Sequence, residues 1–400
     1  MTERLYYTDA SLASFDATVQ RVEPDGAAWR VWLDRSAFYP TSGGQPFDTG
    51  VIEGLRVRDV AEADEDVVHA VVTDTPLSAA PLRAGQAVHG VVDWQRRFDH
   101  MQQHTGQHIL SAAFDRLFGA ATVSFHMGSA VSTIDLARAL SDDEIGKAED
   151  EANRVVWEDR VIAVRFVTAD EAARLPLRKE SQREGVLRLI DIPEFDLSAC
   201  GGTHTSSSGA VGLIATLGRE RFKGGQRVEF VCGGRALARL RFLRGVVAES
   251  VRQVSVLPEE IPTAIERLLT EAKAVKRTMA TLHGELASFR AVELAAGAEV
   301  TPRGRLVLQR LDADAAALKA MALAVAAVPG CVAVLVSESK PVTVVVARSG
   351  DNGVDAKAIL AGLTAAFGGR GGGTSEVAQG GGLDAEPPVV LDEARRAIVR

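Results

Sequence analysis

Cysteine is scarce in this chain, with three residues among 400. Three thiols make no disulfide framework, which fits a reducing compartment, and the isolated Cys232 and Cys331 read as core fillers. A basic excess is also missing. The formal net charge of -8 excludes a protein that coats nucleic acid indiscriminately, while leaving room for a local basic surface. No apolar run is long enough to span a bilayer, and Met1 to Tyr6 lack the basic-then-apolar pattern of a signal peptide. No membrane partner is expected, and the expected location is cytoplasmic. With 46% hydrophobic and 24% charged residues, the chain is an ordinary globular one with room for two or three domains.

Histidine is sparse too, which makes its placement informative. Of eight His and three Cys, four fall in two pentapeptides, His104-Thr105-Gly106-Gln107-His108 and Cys200-Gly201-Gly202-Thr203-His204. Imidazoles four apart on a helix point at one spot, and two glycines let a short loop present Cys200 and His204 to the same point. The four donors make one complete zinc shell. A closed shell of four usually marks a structural ion, whereas a catalytic site keeps an open position, so spacing leaves the role of the metal undecided. No Glu follows His104, which disfavours the HExxH metalloprotease pattern.

Residues 1 to about 95 read as short β-runs separated by turns (Thr18–Val22, Ala28–Leu33, 50–52, Leu55–Val60, Val67–Val72 and Ala87–Val92), for which a small barrel is the natural closure. Within them, Phe38 to Pro46 gathers two prolines, two glycines, Thr41 and Gln45, in a pattern that is at minimum a tight turn. An apolar stripe from Arg96 to Leu117 predicts a helix with His100, His104 and His108 on another face. His100 reads as a pocket residue or a support for the ligands, and His126 as a pocket wall or a core histidine. Mixed α/β follows: a strand at 131–136, a helix at Asp142–Glu158, and strands at Val161–Val167 and Val186–Ile190. From Arg219 to Arg252, nine basic residues face three acidic ones, a local charge of +6 that is either a phosphate-docking surface or a solvated helix face.

Between Glu259 and Leu294, the residues Ile265, Leu268, Ala272, Val275, Met279, Leu282, Leu286 and Phe289 recur at steps of three and four. This heptad seam predicts a long helix that folds into a hairpin or meets a second copy of the chain, with Gly284 arguing for a bend. A last α/β unit has a helix at Ala315–Ala327, strands at Cys331–Val336 and Pro341–Val346, and a helix at Ala356–Phe367. Glycine runs at 368–373 and 380–382 follow, read as backbone able to approach a phosphate, with a disordered linker as the rival.

The pieces Tyr39 to Gln45, His104 to His108, Ser124 to Gly128, Cys200 to His204 and Phe367 to Gly373 together resemble the free-standing alanyl-tRNA editing proteins called AlaX, and through them the editing and C-terminal parts of alanyl-tRNA synthetase. The resemblance spans nearly the whole chain and implies the long form. It implies a multidomain fold: an N-terminal translation-protein-like β-barrel (1–95), a zinc-dependent α/β (α+β) editing domain (96–250), a coiled-coil-like helix (251–298) and a tRNA-binding α/β domain of the DHHA1 type (299–400). It further implies a deacylase that hydrolyses alanine-type tRNA mischarged chiefly with serine, and secondarily with glycine, without adenylate formation or ATP. Zn2+ would be held by His104, His108, Cys200 and His204. Thr41 would sense the serine hydroxyl, Gln45 would hold the carbonyl oxygen, and Arg219, Lys223, Arg370, Gly371 and Gly372 would meet tRNA. A homodimer through 259–294 or the C-terminal domain is a further expectation. The rival reading is a non-catalytic tRNA-binding or synthetase-accessory protein with a structural zinc. A phosphoesterase sharing the DHHA1 tail is disfavoured, because no Asp-His-His run occurs.

Overall fold

The computed structural model describes residues 1–72, 80–178 and 185–400. It is a multidomain α/β protein whose chain separates into two compact units, Met1–Glu249 and Ser250–Arg400.

The first unit opens with six antiparallel strands: β1 (Ser14–Asp25), β2 (Ala28–Leu33), β3 (Gly50–Ile52), β4 (Leu55–Ala63), β5 (Asp66–Val72) and β6 (Ala87–Val92). They close in the order β1-β2-β5-β4-β3-β6. Alternation drives the closure. Along β6, Val88 and Val92 point inward while Ala87, His89 and Val91 face solvent, so one pleated face supplies the core with Val31, Ile52, Val60 and Val71.

Helix α1 (Trp94–Phe118) starts where the Asp93 side chain accepts from Arg96 N and stops at Gly119, whose φ of 58° ends the turn. Every residue from His100 to Phe114 is buried, so the helix is enclosed on all sides rather than lying on a surface. Arg97 is the buried residue of its first turn and anchors it. Its Nε donates to Asp48 Oδ2 at 3.0 Å and Nη1 to the Ala10 carbonyl at 2.8 Å, and Asp48 also accepts from Tyr39 N at 2.7 Å. One fully buried ion pair therefore ties α1 to the barrel and to the Tyr39–Gln45 turn.

Two small antiparallel sheets flank α1. One comprises β7 (Thr122–Met127), β8 (Ser132–Leu136), β12 (Ile214–Phe222) and β13 (Gly225–Cys232) in the order β12-β13-β8-β7; the other is β9 (Ala163–Thr168), β10 (Val186–Ile192) and β11 (Asp196–Ala199). Helix α2 (Asp142–Trp157) begins with a capping box between Ser141 and Glu144 and packs Ala148, Ala152 and Val155 into the same core. Cys232 fills that core, as its apolar surroundings predict, with its sulfur against Gly106: a Cβ built on Gly106 would lie 2.2 Å from Sγ. The basic stretch from Arg219 is not one helix face. It runs through the β12–β13 hairpin into α3 (Gly233–Val254), and three of its arginines turn back onto acids outside it: Arg219 to Asp142, Arg227 to Asp135 and Arg235 to Asp99.

In the second unit, α4 (Ile261–Ala296) is a single 36-residue helix, so the hairpin alternative fails and Gly284 does not interrupt it. A Cβ at Gly284 would meet nothing, and its carbonyl accepts from Ser288 Oγ one turn on, so the helical ladder continues through it. The seam from Ile265 to Phe289 is exposed, while Ala287, Ala291 and Ala295 on another face pack against α5 (Ala315–Ala326). A six-stranded sheet follows in the order β14 (Glu299–Thr301), β15 (Gly304–Leu311), β16 (Cys331–Ser337), β17 (Val342–Arg348), β19 (Val377–Leu383) and β18 (Arg370–Gly373). Helices α6 (Ala356–Phe367) and α7 (Pro387–Val399) complete the unit.

The glycine runs form the β18–β19 edge hairpin, neither an open phosphate loop nor a linker. The reason is steric. A Cβ on Gly371 or Gly380 would come within 2.9 or 2.8 Å of Leu360 on α6, so glycine lets the helix lie close on the sheet. No helix among the described residues is long and apolar enough to cross a membrane.

Candidate metal centre and cavity

His104, His108, Cys200 and His204 converge, with one ligand atom from each lying within 4.8 Å of the others. Two arise from the buried middle of α1 and two from the loop after β11. The His104 and His204 Nε2 atoms each lie 3.4 Å from Cys200 Sγ. A tetrahedron with ordinary zinc–sulfur and zinc–nitrogen bonds has edges of about 3.4–3.6 Å, so these residues fit a zinc ion in both donor type and spacing.

Each imidazole is oriented through its other nitrogen. His104 Nδ1 donates to Gln45 Oε1 at 2.8 Å, His108 Nδ1 to Asp196 Oδ2 at 3.0 Å, and His204 Nδ1 lies 3.2 Å from the Thr105 hydroxyl. All three Nε2 atoms are thereby left for one centre. The supports are themselves held: Asp196 accepts from Ser198 and Arg178, and Thr105 accepts from Thr205 N. Gly202 N donates to Cys200 Sγ at 3.4 Å. A Cβ on Gly202 would fall 2.1 Å from His104 Cε1, so the second glycine of the pentapeptide makes room for the first histidine.

Burial raises the Cys200 thiol, but the neighbouring His104 and His204 outweigh it and hold Cys200 well below its ordinary pKa. Burial also lowers His204, to about 3, with His104 adding to the effect. For His108 burial works downward too, yet the Asp196 hydrogen bond lifts it to about 9. The shift runs toward the thiolate, the form that binds metal.

A cavity of about 560 Å³ opens beside the cluster, and His104, His108 and Cys200 form part of its wall with Tyr7, Phe125 and Arg188. A second cavity of about 130 Å³ reaches His104 and Cys200 through Tyr39, Ser42 and Gly43.

The structure brings Gln45 to the centre but in a different role from holding a substrate carbonyl. Gln45 is fully buried, and both ends of its amide are used by protein: Oε1 accepts from His104 and Thr203 N, and Nε2 donates to Thr203 Oγ1. It is a positioning residue. Thr41 is not brought in. It is exposed, its hydroxyl accepts from Phe47 N at 3.1 Å, and it lines neither cavity. His100 is buried one turn before His104 but belongs neither to the cluster nor to the cavity walls, and His126 is exposed on β7, so it is neither wall nor core. Lys223 is exposed at the tip of the β12–β13 hairpin, Arg219 is paired with Asp142, and Arg370, Gly371 and Gly372 are exposed on the edge strand β18. Sequence reasoning missed Asp196, Arg188 and the Arg97–Asp48 pair, which lie outside the motifs. Thr105, Gly202 and Thr203 lie inside the motifs, where spacing could have flagged them.

Residues 3–96 match the family model described as tRNA synthetases class II (A), and residues 187–229 match the threonyl and alanyl tRNA synthetase second additional domain. The chain is 32% identical to alanyl-tRNA editing protein AlaX-L of Pyrococcus horikoshii over 72% of this chain and 71% of that protein. It is 34% identical to the alanine–tRNA ligase of Pyrococcus abyssi over 95% of this chain, which spans 42% of the ligase. Among solved structures, the C-Ala domain from Aquifex aeolicus alanyl-tRNA synthetase aligns at 19% identity and a TM-score of 0.24, covering 26% of this chain and 96% of that one.

Proposed function

The chain belongs to the family of alanyl-tRNA editing protein AlaX-L, and from that membership we propose that it is an aminoacyl-tRNA deacylase, hydrolysing the ester of alanine-type tRNA mischarged chiefly with serine and secondarily with glycine. The proposed organisation is a barrel over 1–95, a hydrolytic domain over 96–250, a helix over 251–298 and a tRNA-binding domain over 299–400. The carrying observation is the meeting of three imidazoles and one cysteine sulfur, of which His104, His108 and Cys200 stand on the wall of a 560 Å³ cavity. A structural ion would sit sealed in a core. Here three of the four donors face a space large enough for an aminoacyl nucleotide, which favours catalysis over the accessory reading.

His104, His108, Cys200 and His204 would hold Zn2+. When bound, the ion would supply a Lewis acid that orients the ester and acidifies a nearby water. The chain's own residues do the rest. Gln45, Asp196 and Thr105 fix the three rings, Gly202 N supports the thiolate, and Tyr7 and Phe125 help wall the cavity. Aminoacyl esters are already activated, so placement and selection matter more than a strong nucleophile. Polar groups lining the cavity would favour a seryl over an alanyl ester, because alanine would leave them unpaired. In the first unit, Lys223 and Arg219 remain proposed tRNA contacts, as do Arg370, Gly371 and Gly372 in the second. The exposed seam of α4 supports a proposed homodimer, checked by sedimentation at several concentrations.

The test is hydrolysis of seryl-, glycyl- and alanyl-tRNA of the alanine type by the purified chain, with zinc content measured in parallel. The expected result is release of serine in preference to alanine, lost on Cys200→Ala with folding retained. Equal hydrolysis of all three, or none by the zinc-loaded chain, overturns the proposal.

A further inference from the structure

The wall of the large cavity carries a feature that ester hydrolysis leaves unexplained. Phe166 on β9 is 50% exposed, and it lines the cavity with Val123 and Val186, themselves 62% and 68% exposed. One exposed apolar residue is commonplace, but three lining a cavity that also presents His104, His108 and Cys200 form an apolar patch beside polar donors. Phe166 has no aromatic partner among the described residues. Directly opposite it across the β9–β10 pairing stands Arg188, so the two side chains share one face of the sheet.

Arg188 is 92% buried and has no carboxylate partner among the described residues. Its Nε donates to the Tyr7 carbonyl at 2.9 Å and its Nη1 to the carbonyls of Cys200 and Gly202 at 2.8 and 3.0 Å, while Nη2 has no acceptor among the described residues. Its charge is met by three backbone carbonyls and by the nearby Cys200 sulfur, while the two Nη2 N–H donors stand open in the cavity wall. An anionic oxygen placed in the cavity would find both of those donors available.

We propose that Phe166 and Arg188 form a nucleotide-binding platform in the cavity wall, Phe166 stacking on the base of the terminal acylated nucleotide and Arg188 Nη2 taking an oxygen of its phosphate. The inference rests on the deacylase reading for the identity of the nucleotide, which in a tRNA is adenosine. It explains why an aromatic ring is left in solvent beside a guanidinium with open Nη2 donors: a nucleotide is the ligand that presents a flat π-face and a phosphate within one residue. Stacking alone tolerates any base, so the platform holds the 3′ end in place and does not read sequence.

The test uses the zinc-loaded full chain and three probes, adenosine 5′-monophosphate, adenosine and ribose 5-phosphate, titrated by ligand-observed NMR. Phe166→Ala should weaken adenosine 5′-monophosphate between about 5-fold and 100-fold and leave ribose 5-phosphate unchanged, and Phe166→Tyr should restore the loss. Arg188→Gln should abolish the preference for adenosine 5′-monophosphate over adenosine. Since Arg188 also holds two loop carbonyls, Arg188→Lys, which keeps the charge, should retain part of that preference. Failure of the unmodified chain to bind adenosine 5′-monophosphate, or equal binding after Phe166→Ala, overturns the platform. The two readings fail separately. A chain that binds the nucleotide through Phe166 but releases no serine loses the deacylase, and one that deacylates yet binds the nucleotide equally well after Phe166→Ala loses the platform.

Discussion

At the scale of single residues, the candidate metal centre depends on small groups as much as on its four candidate ligands. Gly202 is the sharpest case: a methyl there would overlap the His104 ring at 2.1 Å, with the Gln45 amide at 3.1 Å behind it, so the ring must turn or the loop must move. Gly202→Ala is expected to weaken zinc binding by about 10- to 100-fold, the cost usually seen when a support of a ligand is lost. A competition titration against a chromogenic chelator measures it, and unchanged affinity would refute the role. His69 in the barrel is a second buried histidine with a different fate. Its Nδ1 donates to the Val31 carbonyl at 3.0 Å and its Nε2 sits 2.7 Å from Ser36 Oγ, so the neutral ring is fully used. Burial pushes its pKa down to about 4. The unfolded chain, titrating near 6.5, therefore takes up the proton first: the stability from the neutral ring is complete above pH 6.5 and drains away as pH falls toward 4, by about 3 kcal/mol in all. Urea unfolding across that range should show a shallower pH slope for His69→Gln than for the unmodified chain; parallel slopes would contradict it.

At the scale of elements, α1 is the beam on which the site is built, and the Arg97–Asp48 pair fastens its start to the barrel. Removing one partner leaves a charge in the core. Asp48→Ala should cost about 3–5 kcal/mol, and Arg97→Met added to it should recover part of that loss, because it removes the uncompensated charge while the Tyr39 N–H and the Ala10 carbonyl stay without their partners. Denaturant midpoints of the single and double variants decide the matter, and additive losses would mean that the pair does not act as a unit. The extents of α1 and α2 follow from periodicity already visible in the chain, whereas the first barrel strand, expected at Thr18–Val22, runs over Ser14–Asp25. Glycine was the harder element signal. At 368–373 and 380–382 it marks the close approach of α6 through Leu360, and in α4 the single Gly284 is carried by a helix long enough to absorb it. A glycine in sequence states that a Cβ is absent; only the neighbour's position says why.

At the scale of the whole molecule, all four candidate ligands lie in the first compact unit and none in the second. Metal should therefore stabilise one unit selectively. Calorimetry is expected to resolve two transitions, of which chelation lowers one and leaves the other in place, while excess zinc raises that same transition by mass action, about 2.7 kcal/mol at a hundredfold excess over the dissociation constant. A uniform shift of both transitions would show the units to be thermodynamically inseparable.

The sequence by itself determined the donor set, because soft ligands are rare here and their four-residue spacing is dictated by the turn of a helix and the reach of a glycine loop. It likewise carried the alternation of the barrel strands and the seam of the long helix, which are local periodicities. What only the tertiary structure decided was direction. Thr41 and Gln45 are four residues apart in one turn, yet one hydroxyl caps a neighbouring N–H in solvent and the other side chain is sealed behind His104. Asp196, Arg188 and Asp48 acquired their roles from partners far away in the chain. Side-chain direction and long-range partnership depend on how distant segments pack, and no local pattern encodes that.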